Sequence, residues 1–450
     1  MFEKPHFALR KGLNLPIVGG ADAIVDEPPY ITRVAIVGDD YTGLKPRLSV
    51  EEGDKVVAGT PILSDKNAPD VKIVAPAAGI VKSINRGARR KLISVVIELT
   101  GGETEELDFS QIGDPETPEG LTERLCAAGL WTSFRTRPYS KVPEPDKKPA
   151  AIYITATDTE PLAPDPGDII EREVDAFVAG AKAVSLLCDG NTYLCKRDDA
   201  RVPDIEMGNI KSAVFNGPHP AGLAGTHMHF LEPPSASKTV WTIGYHDVIA
   251  IGRLMLTGRY DPSRIIALVG PACTNPRLVK VPAGASMEEL FYDDVTGDMP
   301  LRMISGSVLS GRAGSDASAF LGRYARQATL IEEDKAQIPM GWIRPMFSKY
   351  AFQPVLGSSW MPKLYPLTTN LNGGRRAMVP LGTFEELMPQ DFLPTQLLRS
   401  LLVMDTDQAQ ALGVLELDEE DLGLVGFACP AKYEYGVALR DCLTKIEKEG

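Results

Sequence analysis

Between Leu48 and Leu99, short β-branched runs alternate with turn residues. Val56-Val57, Pro61 to Leu63, Val71 to Val74, Ile80 to Ile84 and Ile93 to Leu99 read as strands, and Gly53-Asp54 and Ala58-Gly59 close tight turns between apolar segments. Upstream, residues 1–47 are mostly irregular, with one strand-like run from Ile31 to Val37. Downstream, Glu103 to Gly120 is acidic and rich in Pro and Thr, which marks a boundary. Leu121 to Ala128 then starts a helix that Gly129 stops, and VPEPDKKP (142–149) is a stiff loop. The continuous apolar run Ala150 to Thr157 predicts a buried strand, and Glu171 to Leu187 an amphipathic helix running into a strand. Ala213 to Phe215 is a further short strand, and Tyr245 to Leu256 a helix capped by Gly258. Strand, helix and strand at this spacing imply an α/β layer.

Strands are predicted again at Arg264 to Pro271, Arg277 to Val281 and Leu301 to Gly311. Ser286 with Glu289 three residues on predicts a capping box. Gly314 to Pro389 reads as loop-rich, with aromatics and prolines interleaved. Pro394 to Val403, Asp407 to Leu412 and Tyr435 to Glu447 are helical in pattern, and the last carries Tyr435, Leu439, Cys442, Leu443 and Ile446 on one stripe. The expected fold class is therefore α+β and multidomain, divided as a β domain (1–105), an α/β domain (106–258), a mixed module (259–335) and a helical C-terminal domain (336–450).

Two of these units resemble known modules. V-x-x-G-D-x-V-x-x-G-x-x-x-L, carried by Val50, Gly53, Asp54, Val56, Gly59 and Leu63, followed by Ala75, Pro76, Gly79 and Val81, resembles the biotinyl/lipoyl barrel. Carrier domains of that kind present a modifiable lysine at a hairpin tip, and here the tip reads Asp65-Lys66-Asn67. The alternative is a barrel used only for packing, with Lys66 solvated. The block from Arg264 to Gly311 resembles the soluble-ligand-binding β-grasp module.

Charge and chemistry narrow the picture. The chain has 450 residues, 44% of them hydrophobic, so a large core is available. Its net charge of -13 argues against nonspecific nucleic-acid binding. The six cysteines are scattered without a C-x-x-C, which suits a reducing compartment and supplies no iron–sulfur or zinc spacing. The N-terminus lacks a signal-peptide apolar core. The apolar run from Thr239 to Leu256 contains His246, Asp247 and Arg253, so it predicts a buried helix rather than a membrane span. Four of the five histidines fall between His219 and His246, and on a strand His227 and His229 would share a face. A metal site there competes with polar or core histidines, and no carboxylate or cysteine completes a ligand set at familiar spacing. Arg86, Arg89, Arg90 and Lys91 form a basic cluster on this acidic chain, either a solvated hairpin or a docking patch for an acidic partner. P-loop, H-E-x-x-H and nucleophile-elbow signatures are missing. No catalytic residue and no metal ligand are assigned.

KGLNLPIVG near the start, APAAGIVKSINRGARRKLISVVIE, FRTRPYSKVP, GPHPAGLAGTHMHF, RMISGSVLSG and CPAKYEYGVALRDCLTKIEKEG follow in one order over almost the whole chain. Together they resemble the A subunit family of the Na⁺-translocating NADH:quinone oxidoreductases (the Nqr complex). The module order is also similar to the C subunit of the Rnf electron-transport complex and, more distantly, to the flavin subunit of respiratory complex I. Where the flavin subunit has a glycine-rich phosphate loop, this chain has Gly129-Leu130-Trp131-Thr132-Ser133-Phe134-Arg135-Thr136-Arg137-Pro138. Bulky residues replace the glycines that let a backbone approach a phosphate. His219-Pro220-Ala221-Gly222 lacks the following acid pair, and the C-terminal cysteine cluster is reduced to Cys429-Pro430.

The resemblance implies that the chain sits peripherally on the cytoplasmic face of the bacterial inner membrane, without a membrane span and without its own cofactor. Its partners would be the B to F subunits, chiefly the membrane-embedded B subunit. Flavins and iron–sulfur centres would lie on other subunits, with ubiquinone as substrate of the complex. It implies that the isolated chain is not catalytic. Phe134, Arg135, Arg137, Tyr139 and Lys141 are the quinone-binding candidates, because a flat ring with two carbonyls needs an apolar wall and a donor at its edge. A purely structural scaffold is the alternative.

Overall fold

A computed structural model describes residues 4–101, 106–205, 207–295, 299–361 and 363–449. The start of the acidic boundary stretch, 103–105, lies outside the described residues. The described residues form mixed α and β structure built on four sheets and a set of C-terminal helices.

The N-terminal unit is two antiparallel sheets. One orders Arg33–Val37, Leu92–Leu99, Gly79–Arg86 and Lys55–Val56, and the other orders Pro46–Leu48, Pro61–Asp65 and Lys72–Val74. Val34, Ile36, Ile62, Leu63, Val81, Val95 and Ile97 fill the space between them. Gly79 is required by contact, since a Cβ there would run into the Glu98 carbonyl of the paired strand. The outer face is covered too: Ala35 and Val37 meet Val96 and Phe320, and the Ala35 amide donates to the Gly284 carbonyl at 2.8 Å.

The second sheet runs His6–Ala8, Ile210–Asn216, Asn191–Lys196, Ala151–Thr155, Val240–Gly244 and Arg135–Arg137. All pairs are parallel except the last. Helices Val174–Leu186 and Tyr245–Thr257 pack on each other through Gly180 and Gly252, where any Cβ would strike the facing backbone. The apolar run from Thr239 splits into a strand and a helix, and Gly258 ends the helix in the left-handed conformation (φ 74°).

The third sheet orders Arg312–Ala313, Leu301–Ser305, Gln327–Glu332, Arg264–Val269, Arg277–Val281 and Val25–Asp26. Gln327–Glu332 falls inside the stretch that the sequence reads as loop-rich, and it is a central strand. Its first five residues are buried on both faces, so the period-2 alternation that would reveal it is absent. The capping box at Ser286 does not form, as the Ser286 side chain makes no cap bond. Glu289 instead accepts from the amides of Thr32 (2.8 Å) and Arg33 (3.2 Å) and from Arg33 Nε (2.9 Å), which ties this module to the first barrel strand.

Residues 4–30 serve the other units rather than the barrel. His6–Ala8 and Val25–Asp26 add edge strands to the second and third sheets. The segment between them is wedged by bonds from Gly12 to Glu386, from Leu13 to His219 and from Val18 to Tyr365. At the C-terminus, Thr383–Leu387, Pro394–Val403, Thr406–Ala411, Gly423–Ala428 and Tyr435–Glu449 are helices around a separate core. All five residues of the Tyr435–Ile446 stripe are buried in it.

His227 and His229 do not share a face, because Ala224–Leu231 is a helix and two residues turn its direction by about 200°. His227 lies in the core with its ring 4.4 Å from Phe215, and burial pushes its pKa down to about 3. His229 reaches Glu416 at 2.8 Å and Asp391 at 3.1 Å.

Candidate functional site

Parallel strands leave a crevice beyond their carboxyl ends where the connections diverge. Here that point lies between Ala151–Thr155, whose next strand is laid to one side, and Val240–Gly244, laid to the other. A cavity of about 430 Å³ opens there. Thr155, Gly244 and the amino ends of the helices that start at Ala224 and Tyr245 form its floor. Ser305 to Ser307 and Tyr324 to Gln327 of the third sheet form one wall, and Asp418 to Glu420 with Arg440 of the C-terminal helices form another.

Charged side chains crowd the lining, and most of them are paired. Asp418 sits at the centre of one network. It faces Arg137 at 3.0 Å, Arg440 at 2.8 Å and Arg135 at 3.5 Å, and it accepts from Ser140 Oγ at 2.7 Å. Burial pushes its carboxyl up, but Arg137, a hydrogen bond with Glu419, Arg135 and Arg440 outweigh this and hold it well below the usual carboxylate range. Glu420 pairs with Arg137 at 3.3 Å and Arg135 at 3.7 Å. Across the crevice Arg326 meets Asp158 at 2.7 Å and Arg312 meets Asp40 at 2.8 Å. Arg323 bonds Asp247 and, at 2.8 Å, Ser133 Oγ.

Burial raises Asp40 despite Arg312, and three further carboxyls are pushed up close to neutral pH, opposite to Asp418. Burial pushes Asp421 up to about 8, against the pull of Arg137 and with help from Glu420. Burial and the hydrogen bond with Asp418 raise Glu419 to about 7. Glu160 rises to about 7 through burial and the nearby Asp158 charge, although Ser307 Oγ donates to it. Its other oxygen has no partner among the described residues.

The quinone candidates take different places. Arg135 lines the cavity, with its guanidinium 4.8 Å above the Tyr324 ring. Phe134 is fully buried and turns into the core, against Trp131 at 5.4 Å and Trp241 at 5.5 Å. Arg137 is fully buried and enclosed by Asp418, Glu420 and Ser140. Tyr139 packs on the C-terminal core, and Lys141 pairs with Glu447 at 2.6 Å. The docking candidates Arg86, Arg89, Arg90 and Lys91 are all exposed on their hairpin, and Lys91 pairs at 2.5 Å with Asp39 on the crevice rim. Lys66 is exposed at its hairpin tip. Among the described residues no three His, Cys, Asp or Glu side chains are grouped as a metal ion would need. Nor, among them, is any helix long and apolar enough to cross a membrane.

The site's acidic half, the run Asp418-Glu419-Glu420-Asp421, escapes a reading of the sequence. A run of four acids looks like a solvated turn, and its partners Arg135 and Arg137 lie nearly 300 residues upstream. The flanking Leu417 and Leu422, both buried, are the one local sign that the turn is packed against something.

Comparison with known proteins agrees with this architecture. Residues 7–100 match the family described as the NqrA N-terminal barrel-sandwich hybrid domain, 117–260 the NqrA second alpha/beta domain, and 265–315 the NQRA C-terminal domain. The A subunit of the Na⁺-translocating NADH-quinone reductase of Rhodopirellula baltica is 46% identical over 98% of both chains. The protein of the same name from Pasteurella multocida is 48% identical over 98% of this chain and 99% of its own, and that of Neisseria gonorrhoeae 47% over the same shares. An NAD⁺-reducing [NiFe]-hydrogenase structure overlaps 74% of this chain and 61% of its own at a TM-score of 0.40 and 10% identity, a likeness too slight to bear on function. With near-full-length identity approaching one half, and each sheet-bearing unit matched in order, this chain belongs to the A subunit family of the Na⁺-translocating NADH-quinone reductases.

Proposed function

We propose that this chain is a peripheral, cofactor-free subunit that braces the quinone-reducing end of the complex from the cytoplasmic face and docks on the membrane-embedded B subunit. NADH oxidation, the flavins, the iron–sulfur centre and Na⁺ passage belong to other subunits in this reading. The observation that carries it is the crevice itself. Its guanidinium and carboxylate groups bind one another across the barrel, the second and third sheets and the C-terminal helices. Such a network fixes the relative positions of units more than it invites a ligand. The place of a flavin loop is filled by the Trp131, Phe134 and Trp241 rings, packed edge to face or tilted at 5.4 to 5.5 Å. That packing does not fit a phosphate-bearing group, which needs free backbone amides at close approach.

A second reading rests on one observation. Arg135 and Tyr324 together present a donor and an aromatic face to the cavity, as a quinone headgroup would need. Arg135→Ala in the assembled complex separates the two. Bracing predicts unchanged quinone KM and turnover once assembly is complete. A raised quinone KM, with the NADH-to-dye half-reaction intact, establishes quinone contact at this crevice instead.

A further inference from the structure

The segment 336–381 crosses the surface between the third sheet and the C-terminal helices. Its composition is unlike the rest of the chain. It holds Arg344, Lys349, Lys363, Arg375 and Arg376 and no acidic residue, in a protein of net charge -13. Nearly half of the exposed large hydrophobic side chains among the described residues lie in it. Trp360 is 83% exposed and Val355 77%, and Phe347, Leu364 and Leu371 are also turned outward. So many large apolar side chains left in solvent along one segment mark it as a candidate interaction surface.

The segment is held, so its exposed side chains are presented and do not belong to a loose tail. Tyr365 is buried and donates its hydroxyl to the carbonyls of Ser358 (3.1 Å) and Met361 (3.2 Å). Its backbone bridges the N-terminal segment, taking the Val18 amide at 3.1 Å and giving its own to Pro16 at 2.8 Å. Thr369 bonds the end of the third sheet at Glu332, and Arg376 bonds Ala431. Lys349 reaches Asp334 at 3.5 Å and Arg375 reaches Glu434 at 3.6 Å, while Arg344 and Lys363 are exposed beside Ile343 and Leu364.

We propose that this strap rests on an anionic lipid surface. Apolar and aromatic side chains set among Lys and Arg, with no acid within the segment itself, are the chemistry of a segment lying at the headgroup and acyl boundary. The long basic side chains can snorkel while their neighbours enter the boundary. A protein partner is the less favoured occupant. Interface cores are depleted in Lys and built around pockets, whereas neither the crevice nor the smaller cavity beneath the barrel is lined by these residues. Because the strap is already anchored, little ordering opposes the contact. The proposal stands on the strap's own chemistry and does not depend on the role of the crevice.

The test is flotation of the full-length chain with vesicles of phosphatidylcholine, with and without about a third phosphatidylglycerol. The expected result is co-flotation with the anionic vesicles at least about tenfold above the neutral ones, lost at high salt as the Debye length shortens to about 3 Å at 1 M. Trp360→Ala with Leu364→Ala, and separately Arg344→Glu with Lys363→Glu, should each abolish it while leaving the melting temperature in place. Failure to float with anionic vesicles overturns the proposal. So does flotation that survives both variant pairs. Cross-linking in the assembled complex supplies the third outcome: if Lys363 links to a neighbouring protein chain and not to lipid, the strap is a protein interface and the lipid assignment is wrong.

Discussion

The crevice and the strap put the same residue types to opposite uses. In the crevice and the core beneath it, arginines and aromatic rings are enclosed: Arg137 and Trp131 are almost completely buried, and every guanidinium described there faces a carboxylate. In the strap, Arg344, Lys363 and Trp360 stand in solvent on an anchored backbone. The difference teaches that an Arg- and aromatic-rich run announces no role by itself. What decides is whether acidic partners arrive from elsewhere in the chain. The run from Trp131 to Lys141 receives Asp418, Glu420 and Glu447 from far downstream, while in the strap Asp334 and Glu434 reach only Lys349 and Arg375, and Arg344 and Lys363 stay exposed.

The contrast is sharpest at Arg137. Arg137→Ala removes a fully buried guanidinium from Asp418 and Glu420, leaving Asp418 with Arg135 and Arg440 only, so it should cost about 3 kcal/mol by urea unfolding. A loss below about 1 kcal/mol, the scale of an exposed pair, would erase the distinction between the two regions. Glu160→Gln comes next and depends on pH. The folded carboxyl titrates near 7, above its unfolded value of 4.5, so the folded state binds the extra proton between these values. Its stability therefore falls as pH rises from about 4.5 to about 7 and stays low above. The glutamine lacks that fall, and calorimetry at pH 8 should find the variant more stable by on the order of 2 kcal/mol, with the gap closing towards pH 5. A pH-independent gap would mean that Glu160 is not the titrating group. The smallest effect belongs to the strap: Trp360→Ala should change folding stability by no more than about 0.5 kcal/mol, the range of exposed sites. Trp131→Ala, of the same chemistry in the core, should cost about 3–5 kcal/mol.

Much of the local structure was legible because local pattern causes it. The helix Pro394–Val403 and the strand Arg277–Val281 fall where their periodicity puts them, and Gly129 and Gly258 stop their helices in left-handed conformations. The failures have long-range causes. Gln327–Glu332 is a strand because a sheet waits on both sides of it, and Glu289 leaves its own helix because Thr32 and Arg33 offer better-placed amides. Family membership was legible from motif order alone. The site was less so. Arg135 could be picked out as a crevice residue, but Phe134 alternates to the core side of its strand edge, and the acids that close the crevice lie in a stretch with no pattern of its own.

Asp418 also has a consequence in the order of synthesis. Arg137 leaves the ribosome 283 residues before Glu420, and Arg440 later still. Until the last helices emerge, the second unit holds a buried-to-be cation without the carboxylates that finally face it. A chain cut short between Arg137 and Asp418 therefore carries its own mark of incompleteness: an unsealed crevice of positive charge, which the finished protein does not show.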